Sequence, residues 1–392
     1  MVSLNNFPLK RMYTHNIVGQ NLIKKQLKKM IVEKTYPQSQ VLIDNNGYGG
    51  LPLAINNGLN LIYGLEKMKE NEKNKIPCSN LINHPDLHFV FPRVSVSKTN
   101  LNSHVSNLLA SWRDFIISSP YGEIYDWLKL LDSGNKQGII NVEEVNKIQQ
   151  KMSLKSHSGG NKVMIIWGAE KLNSQASNKL LKIMEEPPDK SYFILVTEKS
   201  SALLPTLISR CQRITLPPIE SQEINSALKD FDINTDLNSL VKFSKGSWRK
   251  VLSNILNREE RDRFENYLNE FLKTCFKIKK SKRAIIDLLN WSDSISSLDR
   301  EEQKAFVKYV LEVIRQCLLI SYNSTQLVDF QYFKLLDVKN LSNYVHSKNI
   351  LEISTLLEET IYFLERNGNA KIIFSNFSIA LVRLLNVREK SS

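Results

Sequence analysis

The sequence predicts an α/β domain built on a mostly parallel sheet, then a small helical domain and an all-helical C-terminal domain. Three observations carry this. Short apolar runs alternate with helix-like stretches through residues 1–217. Pro217-Pro218 stands where that alternation stops. Beyond it, the apolar residues recur at helical spacing with no fixed-period repeat. The domains expected are 1–217, 218–262 and 263–392.

Each strand announces itself by composition. Gln40-Val41-Leu42-Ile43-Asp44 is a short apolar run, and Leu87-His88-Phe89-Val90-Phe91 is a second, stopped by Pro92. Lys162-Val163-Met164-Ile165-Ile166-Trp167 is almost continuously apolar, as a strand buried on both faces should be. Tyr192-Phe193-Ile194-Leu195-Val196-Thr197 is the fourth. Between the last two, Leu180, Leu181, Ile183 and Met184 mark a helix over 174–186, ended by Pro187-Pro188. Residues 95–140 show no clear period; with Trp112, Gly122, Trp127 and Gly138 they read as an insertion. From 219 to 257, Ile224, Leu228, Leu240, Val241, Phe243, Val251, Leu252 and Ile255 give short helices, and amphipathic runs follow at 264–275, 302–321 and 350–366.

Bulk numbers narrow the function. At 392 residues the chain exceeds one ordinary core. Hydrophobic residues at 42% and charged residues at 24% suit a soluble globular protein. No apolar run approaches the ~18–20 residues a bilayer crossing requires, and Met1-Val2-Ser3-Leu4-Asn5-Asn6-Phe7 lacks the regions of a signal peptide. A cytoplasmic location without a membrane partner is expected. Cys78, Cys211, Cys275 and Cys317 lie far apart with no CxxC pair, against a disulfide framework. The net charge of +13 favours a polyanionic partner, nucleic acid first, although Lys, Asn and Ile abound throughout as a coding bias would give. Lys24, Lys25, Lys28 and Lys29 pair one helical turn apart, whereas Lys277, Lys279, Lys280, Lys282 and Arg283 read as a solvated linker.

Chemistry first suggests itself in Asp44-Asn45-Asn46-Gly47-Tyr48-Gly49-Gly50-Leu51, where a strand gives way to a helix. A phosphate-binding loop of pattern GxxxxGK[ST] needs a backbone cradle, a lysine against the phosphates and a hydroxyl for Mg²⁺. Here Asp44 replaces the first glycine, Gly49 keeps the second, Gly50 replaces the lysine and Leu51 the hydroxyl. Gly47, Gly49, Gly50 and Leu51 thus form a degenerate loop, and a glycine-rich turn needs no ligand.

Further along, Ala176-Ser177-Asn178-Lys179-Leu180-Leu181-Lys182 leads into Glu185-Glu186-Pro187-Pro188, then Leu203-Leu204-Pro205-Thr206-Leu207-Ile208-Ser209-Arg210-Cys211. With Ile17-Val18-Gly19-Gln20 and His84-Pro85-Asp86, these residues resemble the delta-prime family of bacterial DNA polymerase III clamp-loader subunits, in the AAA+ class. The resemblance is strong over 1–217, extends through Gly246-Ser247-Trp248-Arg249-Lys250 and is weak beyond, where Glu365-Arg366-Asn367-Gly368-Asn369-Ala370-Lys371 matches a turn before the family's last helix. It implies an AAA+-type sheet domain, a helical lid and a helical collar that holds subunits together.

The resemblance also assigns roles. In the AAA+ pattern Asp-Glu-Ala-Glu after the third strand, Trp167 and Gly168 replace the acidic pair and only Ala169 and Glu170 match. Glu170 alone reads as a helix-start or surface charge. Catalysis by the chain itself is not expected. Arg210, flanked by Ser209 and Cys211, is implied as an arginine finger that completes a neighbouring subunit's ATP site, where a guanidinium stabilises charge on the γ-phosphate. Arg213, off the motif, reads as structural. Implied partners are the gamma/tau ATPase and delta subunits in a hetero-pentamer, the sliding clamp and, through the complex, primer-template DNA. ATP and Mg²⁺ belong to those partners, so no cofactor is expected. Many relatives carry a four-cysteine zinc module; here only Cys78 stands near His84 and His88, too few at the wrong spacing, so no metal is expected. Arg249 falls where such ATPases keep a nucleotide-sensing arginine, and reads here as a lid surface charge. The competing expectations are an ATPase active on its own with an atypical site, and a helical DNA-binding protein supported by charge alone.

Overall fold

Five parallel strands form the sheet of the computed structural model: β1 (Ser39–Ile43), β2 (Leu87–Val90), β3 (Lys162–Trp167), β4 (Ser191–Thr197) and β5 (Gln212–Thr215), in the order β2-β3-β4-β1-β5. The structure describes residues 17–74, 76–94, 101–131, 137–229, 237–256, 258–278, 283–324, 328 and 333–387, without the side chains of Cys78, residues 101–107 and 237–239, Phe243, Leu256 and Arg258. Two compact units meet in sequence at Val251–Leu252.

The sheet belongs to the first unit. Its helices are α1 (Asn21–Val32), α2 (Gly50–Tyr63), α3 (Leu65–Lys73), α4 (Cys78–Leu81), α5 (Leu101–Ser118), α6 (Ile124–Leu130), α7 (Val142–Ser153), α8 (Ser174–Glu185), α9 (Pro205–Ser209), α10 (Ser221–Leu228), α11 (Leu237–Ser244) and the start of α12 (Trp248–Leu256). Side chains alternate across the strands into two cores. Leu42, Val163, Ile165, Trp167, Ile194 and Val196 face α2, α5 and α6. Val41, Ile43, Met164, Ile166, Phe193 and Leu195 face α7, α8 and α9. Covered on both sides, β1 and β3 are buried at every position, which is why they read as continuous apolar runs.

Two readings of the sequence need correction. Residues 95–140, though without a clear apolar period, carry the helices α5 and α6, and the backbone N–H of Glu123 donates to Asp126 Oδ2 at 2.9 Å to start α6. Their tryptophans are core residues. Trp112 stacks on Phe91 at 4.3 Å and meets Trp127 edge-on at 5.2 Å, and both indoles are fully buried. The fifth strand was also missed. Gln212-Arg213-Ile214-Thr215 buries only Ile214, so it has no apolar signature; its pairing with β1 makes it a sheet edge, with Arg213 exposed.

His84-Pro85-Asp86 has a structural use. The buried carboxylate of Asp86 accepts N–H groups from His157 (2.9 Å) and Ser158 (3.2 Å) and the hydroxyls of Ser156 and Ser158, tying the loop before β3 to the start of β2. Burial alone would raise its pKa, but these donors outweigh burial and hold it below the usual carboxylate value.

The second unit is helical: α13 (Arg258–Ile278), α14 (Ala284–Ser296), α15 (Arg300–Ser321), α16 (Val338–Ser342), α17 (Ile350–Glu365) and α18 (Ala370–Leu385). Phe271, Trp291, Phe306, Val310, Ile314 and Phe377 lie in its core. Of the basic run after Lys277, Lys279, Lys280 and Lys282 lie outside the described residues. Among the described residues no helix is long and apolar enough to cross a membrane.

Asp86 gives a pH-dependent test. A carboxylate whose folded pKa is depressed contributes stability above its unfolded pKa of ~3.9 and loses it as pH falls through the folded value. Asp86→Ala should lower the urea midpoint at pH 7, by ~1–3 kcal/mol in stability. The gap from wild type should narrow as the pH approaches 3. An equal gap at both pH values would show that the carboxylate's charge is not what counts.

Candidate functional site

The loop between β1 and α2 is organised by its first residue. Asp44 is 3% exposed, and its carboxylate accepts three successive backbone N–H groups: Tyr48 at 2.6 Å, Gly49 at 3.1 Å and Gly50 at 2.7 Å. These donors belong to the opening of a helix, where N–H groups have no intrahelical partner. In a phosphate-binding loop such groups point at the ligand. Here a side chain of the same chain has taken them.

The substitutions around the loop fit together. A Cβ on Gly50 would fall 2.9 Å from Asp44 Cβ and 3.1 Å from Val196 Cγ1, so Asp44 leaves no room for a lysine in the pattern's lysine position. Leu51 and Pro52 are buried in the first turn of α2, where proline is well accommodated.

The opposite wall is equally filled. Trp167, at the end of β3, is 3% exposed and lies 5.1 Å from Trp112 and 5.8 Å from Phe115. Gly168 has φ 67°, and a Cβ there would meet Pro92 at 2.9 Å and Ile124 at 3.0 Å. A left-handed backbone and close packing together demand glycine at this position. Ala169 is buried. Glu170 does stand in the first turn of a short 3-10 helix, but it is no free surface charge: it is half-buried and accepts the Thr197 hydroxyl at 2.7 Å. What remains is a cleft lined by Asp44, Gly49, Gly50, Trp167, Glu170 and Arg249 among others, with room for about one water. These residues do not fit a nucleoside triphosphate with its metal.

Arg249 also departs from expectation. It is no surface charge: its side chain is 15% exposed, Nη1 pairs with Glu198 at 2.7 Å, and Nε donates to the Tyr121 carbonyl at 2.7 Å. Its stem crosses Gly47, whose carbonyl accepts the Arg249 N–H at 3.3 Å. Burial works against its charge, but Glu198, then Glu123 and Asp44, outweigh that and raise its pKa. Ser247 donates to the Asn46 carbonyl at 2.6 Å, and the Gln20 side-chain amide to the Pro217 carbonyl at 2.8 Å. The helical segment after Pro218 is thereby latched onto the loop. Sequence alone could have flagged Arg249 only through its place in Gly246-Ser247-Trp248-Arg249-Lys250.

Ser209, Arg210 and Cys211 stand where α9 turns into β5, and none of the three lines this cleft. Ser209 donates to the Thr206 carbonyl at 3.0 Å. Cys211 is buried in the second core, and burial pushes its thiol up to about 12, so it packs rather than reacts. Arg210 alone of the three presents a charged head to solvent. Its side chain is 40% exposed, Nη1 reaches the Thr206 carbonyl at 3.1 Å and Nη2 pairs with Glu185 at 2.6 Å. So exposed a pair contributes ~0–1 kcal/mol, which makes the arginine easily redirected.

Cys78 begins α4, but its side chain lies outside the described residues. His84 accepts the Asp86 N–H at 3.1 Å and sits edge-on to Tyr63, while burial and then Lys151 push His88 down to about 4. Among the described residues no His, Cys, Asp or Glu cluster is arranged to hold a metal. On α1, Lys24 turns in to the Ile17 carbonyl at 2.8 Å, whereas Lys25, Lys28 and Lys29 are exposed.

The sequence profile of the family described as "DNA polymerase III, delta subunit" matches residues 19–220. The chain is 36% identical over 104 residues to the DNA polymerase III subunit delta' of Haemophilus influenzae, across 23% of this chain and 32% of that one. It is 34% identical over 110 residues to the Escherichia coli delta', across 28% and 33%. The matched stretch therefore spans about a third of these relatives' length. The Bacillus subtilis DNA polymerase III subunit tau is 37% identical over 103 residues, 26% of this chain and 18% of that protein. A solved Thermotoga maritima protein described as gamma-subunit-related aligns over 92% of this chain and 99% of its own at 16% identity, with a TM-score of 0.39.

The packing around Gly50 and Gly168 predicts that restoring the missing chemistry residue by residue fails. Gly168→Asp should cost ~1–3 kcal/mol for the backbone alone, and Gly50→Lys should also destabilise by displacing Asp44. Neither should confer ATP turnover. Thermal unfolding with an ATPase assay checks both; wild-type stability with new turnover in either variant would contradict the packing argument.

Proposed function

This chain belongs to the DNA polymerase III delta-subunit family, and from that premise we propose that it is a non-catalytic member of a bacterial clamp loader. In this reading it supplies Arg210 to the ATP site of a neighbouring ATPase subunit, so that the sliding clamp is seated on primed DNA. The observation that carries the proposal is an asymmetry. The loop where the chain would hold its own nucleotide is satisfied by Asp44 and latched by Arg249, while Arg210 stands half-exposed on a weak ion pair.

The remaining roles follow from the same reading. The neighbours are the gamma/tau ATPase and delta subunits in a hetero-pentamer, with ATP and Mg²⁺ bound by the ATPase subunits and none by this chain. Residues 218–262 act as a lid and 263–392 as a collar; exposed apolar side chains such as Ile286, Leu351 and Ile372 support a contact surface there. The net charge of +13 suits proximity to DNA, and the place of work is the cytoplasm. An ATPase active on its own is the second reading; Asp44, Gly168 and Trp167 all weigh against it.

Arg210→Ala tests the finger. The variant should fold and assemble, since one exposed charge seldom carries an interface. ATP hydrolysis at the one affected site should fall on the order of 10³-fold, with a smaller drop in the total rate of the complex. Arg210→Lys should rescue poorly, because a point charge lacks the planar fork. Unchanged ATPase and clamp loading in a well-assembled Arg210→Ala complex would overturn the proposal.

A further inference from the structure

We propose that the turn between α5 and α6 is an internal wedge, with Tyr121 as the pin that fixes the helical segment after Pro218 to the sheet. That turn lies in the stretch read from sequence as an insertion, and nothing in it depends on Arg210. Tyr121 touches three separate parts of the first unit. Its hydroxyl accepts the Val18 N–H at 2.9 Å, ahead of α1. Its ring passes beside Gly49, where an added Cβ would meet Tyr121 Cε1 at 3.0 Å. Its carbonyl accepts Arg249 Nε at 2.7 Å, on α12. Val18 and Arg249 are 103 and 128 positions away in sequence, so the tyrosine joins segments that the chain itself keeps apart.

The pin is seated and braced. Tyr121 is 3% exposed, and Pro120, Gly122 and Ile124 line the cleft wall beside it. The Gly122 N–H donates to the Ser119 carbonyl at 2.8 Å and the Ser119 N–H to the Phe115 carbonyl at 2.7 Å, which closes the turn. Behind it, Phe115 lies 5.5 Å from Trp127 and 5.8 Å from Trp167, so the wedge stands on the core of the sheet. Glu123, where α6 begins, adds to the acidic field that sustains the Arg249 charge. The position of the Arg249 segment is thereby a property of α5 and α6, and no bound ligand is needed to set it.

Amide hydrogen exchange of the full-length chain, read by mass spectrometry, tests the wedge in wild type, Tyr121→Phe, Tyr121→Ala and Arg249→Lys. Peptides over 17–20 and 247–251 report the two pinned segments, and peptides over β3 and β4 report the sheet. Tyr121→Ala should speed exchange at both pinned segments by ~10-fold or more, with β3 and β4 much less affected. Tyr121→Phe keeps the ring and the carbonyl and strands only the Val18 N–H. It should speed exchange over 17–20 on the order of 10-fold and over 247–251 by less. Arg249→Lys keeps a charge for Glu198 and loses the Nε bond; because coupling is reciprocal, it should speed exchange over 119–123. If Tyr121→Ala does not fold, the other two variants carry the test. Exchange that rises equally in every peptide, a Tyr121→Ala response confined to 17–20, a Tyr121→Phe variant unchanged there, or an Arg249→Lys variant unchanged over 119–123 would each overturn the proposal.

Discussion

Three N–H groups at the opening of α2 must find an acceptor, and the fold around them depends on which one they find. The α2 helix runs between the sheet and α1 with nearly every residue buried, so unsatisfied donors at its start would cost ~1–3 kcal/mol each. Asp44 removes that cost from within the chain. Its carboxylate then sets conditions for the neighbours. Position 50 must be small, Arg249 must come close enough to balance the buried acids, and the lid segment carrying Arg249 must stay against Gly47 and Asn46.

Seen this way, the replacements on the other side of the cleft are not separate losses. Trp167 gives its volume to the aromatic cluster of Trp112, Phe115 and Trp127, and Gly168 lets the chain turn where Pro92 and Ile124 leave no room. Acidic side chains at those two places would have to displace that packing. The proposed division of labour, an ATP site elsewhere and an arginine here, therefore has a physical counterpart within one chain: a cleft narrowed by its own side chains, and a guanidinium at the surface.

Much of this was legible in the sequence, for identifiable reasons. The four apolar runs became strands because parallel strands buried on both faces carry their signal in every residue. The α8 helix ended at Pro187-Pro188 as read, and the degenerate loop was visible from Gly50 and Leu51 alone. What escaped depended on partners distant in the chain. The edge strand β5 has one buried residue in four. The α5 and α6 helices bury tryptophans whose spacing carries no simple stripe. Arg249 read as a surface charge because its partners, Glu198 and the Tyr121 carbonyl, are 51 and 128 positions away. Asp44 was read only as a missing glycine; that it is an acceptor for its own loop required the fold.

The central claim is that the cleft is complete without nucleotide, and calorimetric titration of the isolated full-length protein with ATP and Mg²⁺ tests it most directly. The account predicts no Mg²⁺-dependent binding heat at ATP concentrations where a working phosphate loop saturates. A micromolar or tighter isotherm that requires Mg²⁺ would contradict it.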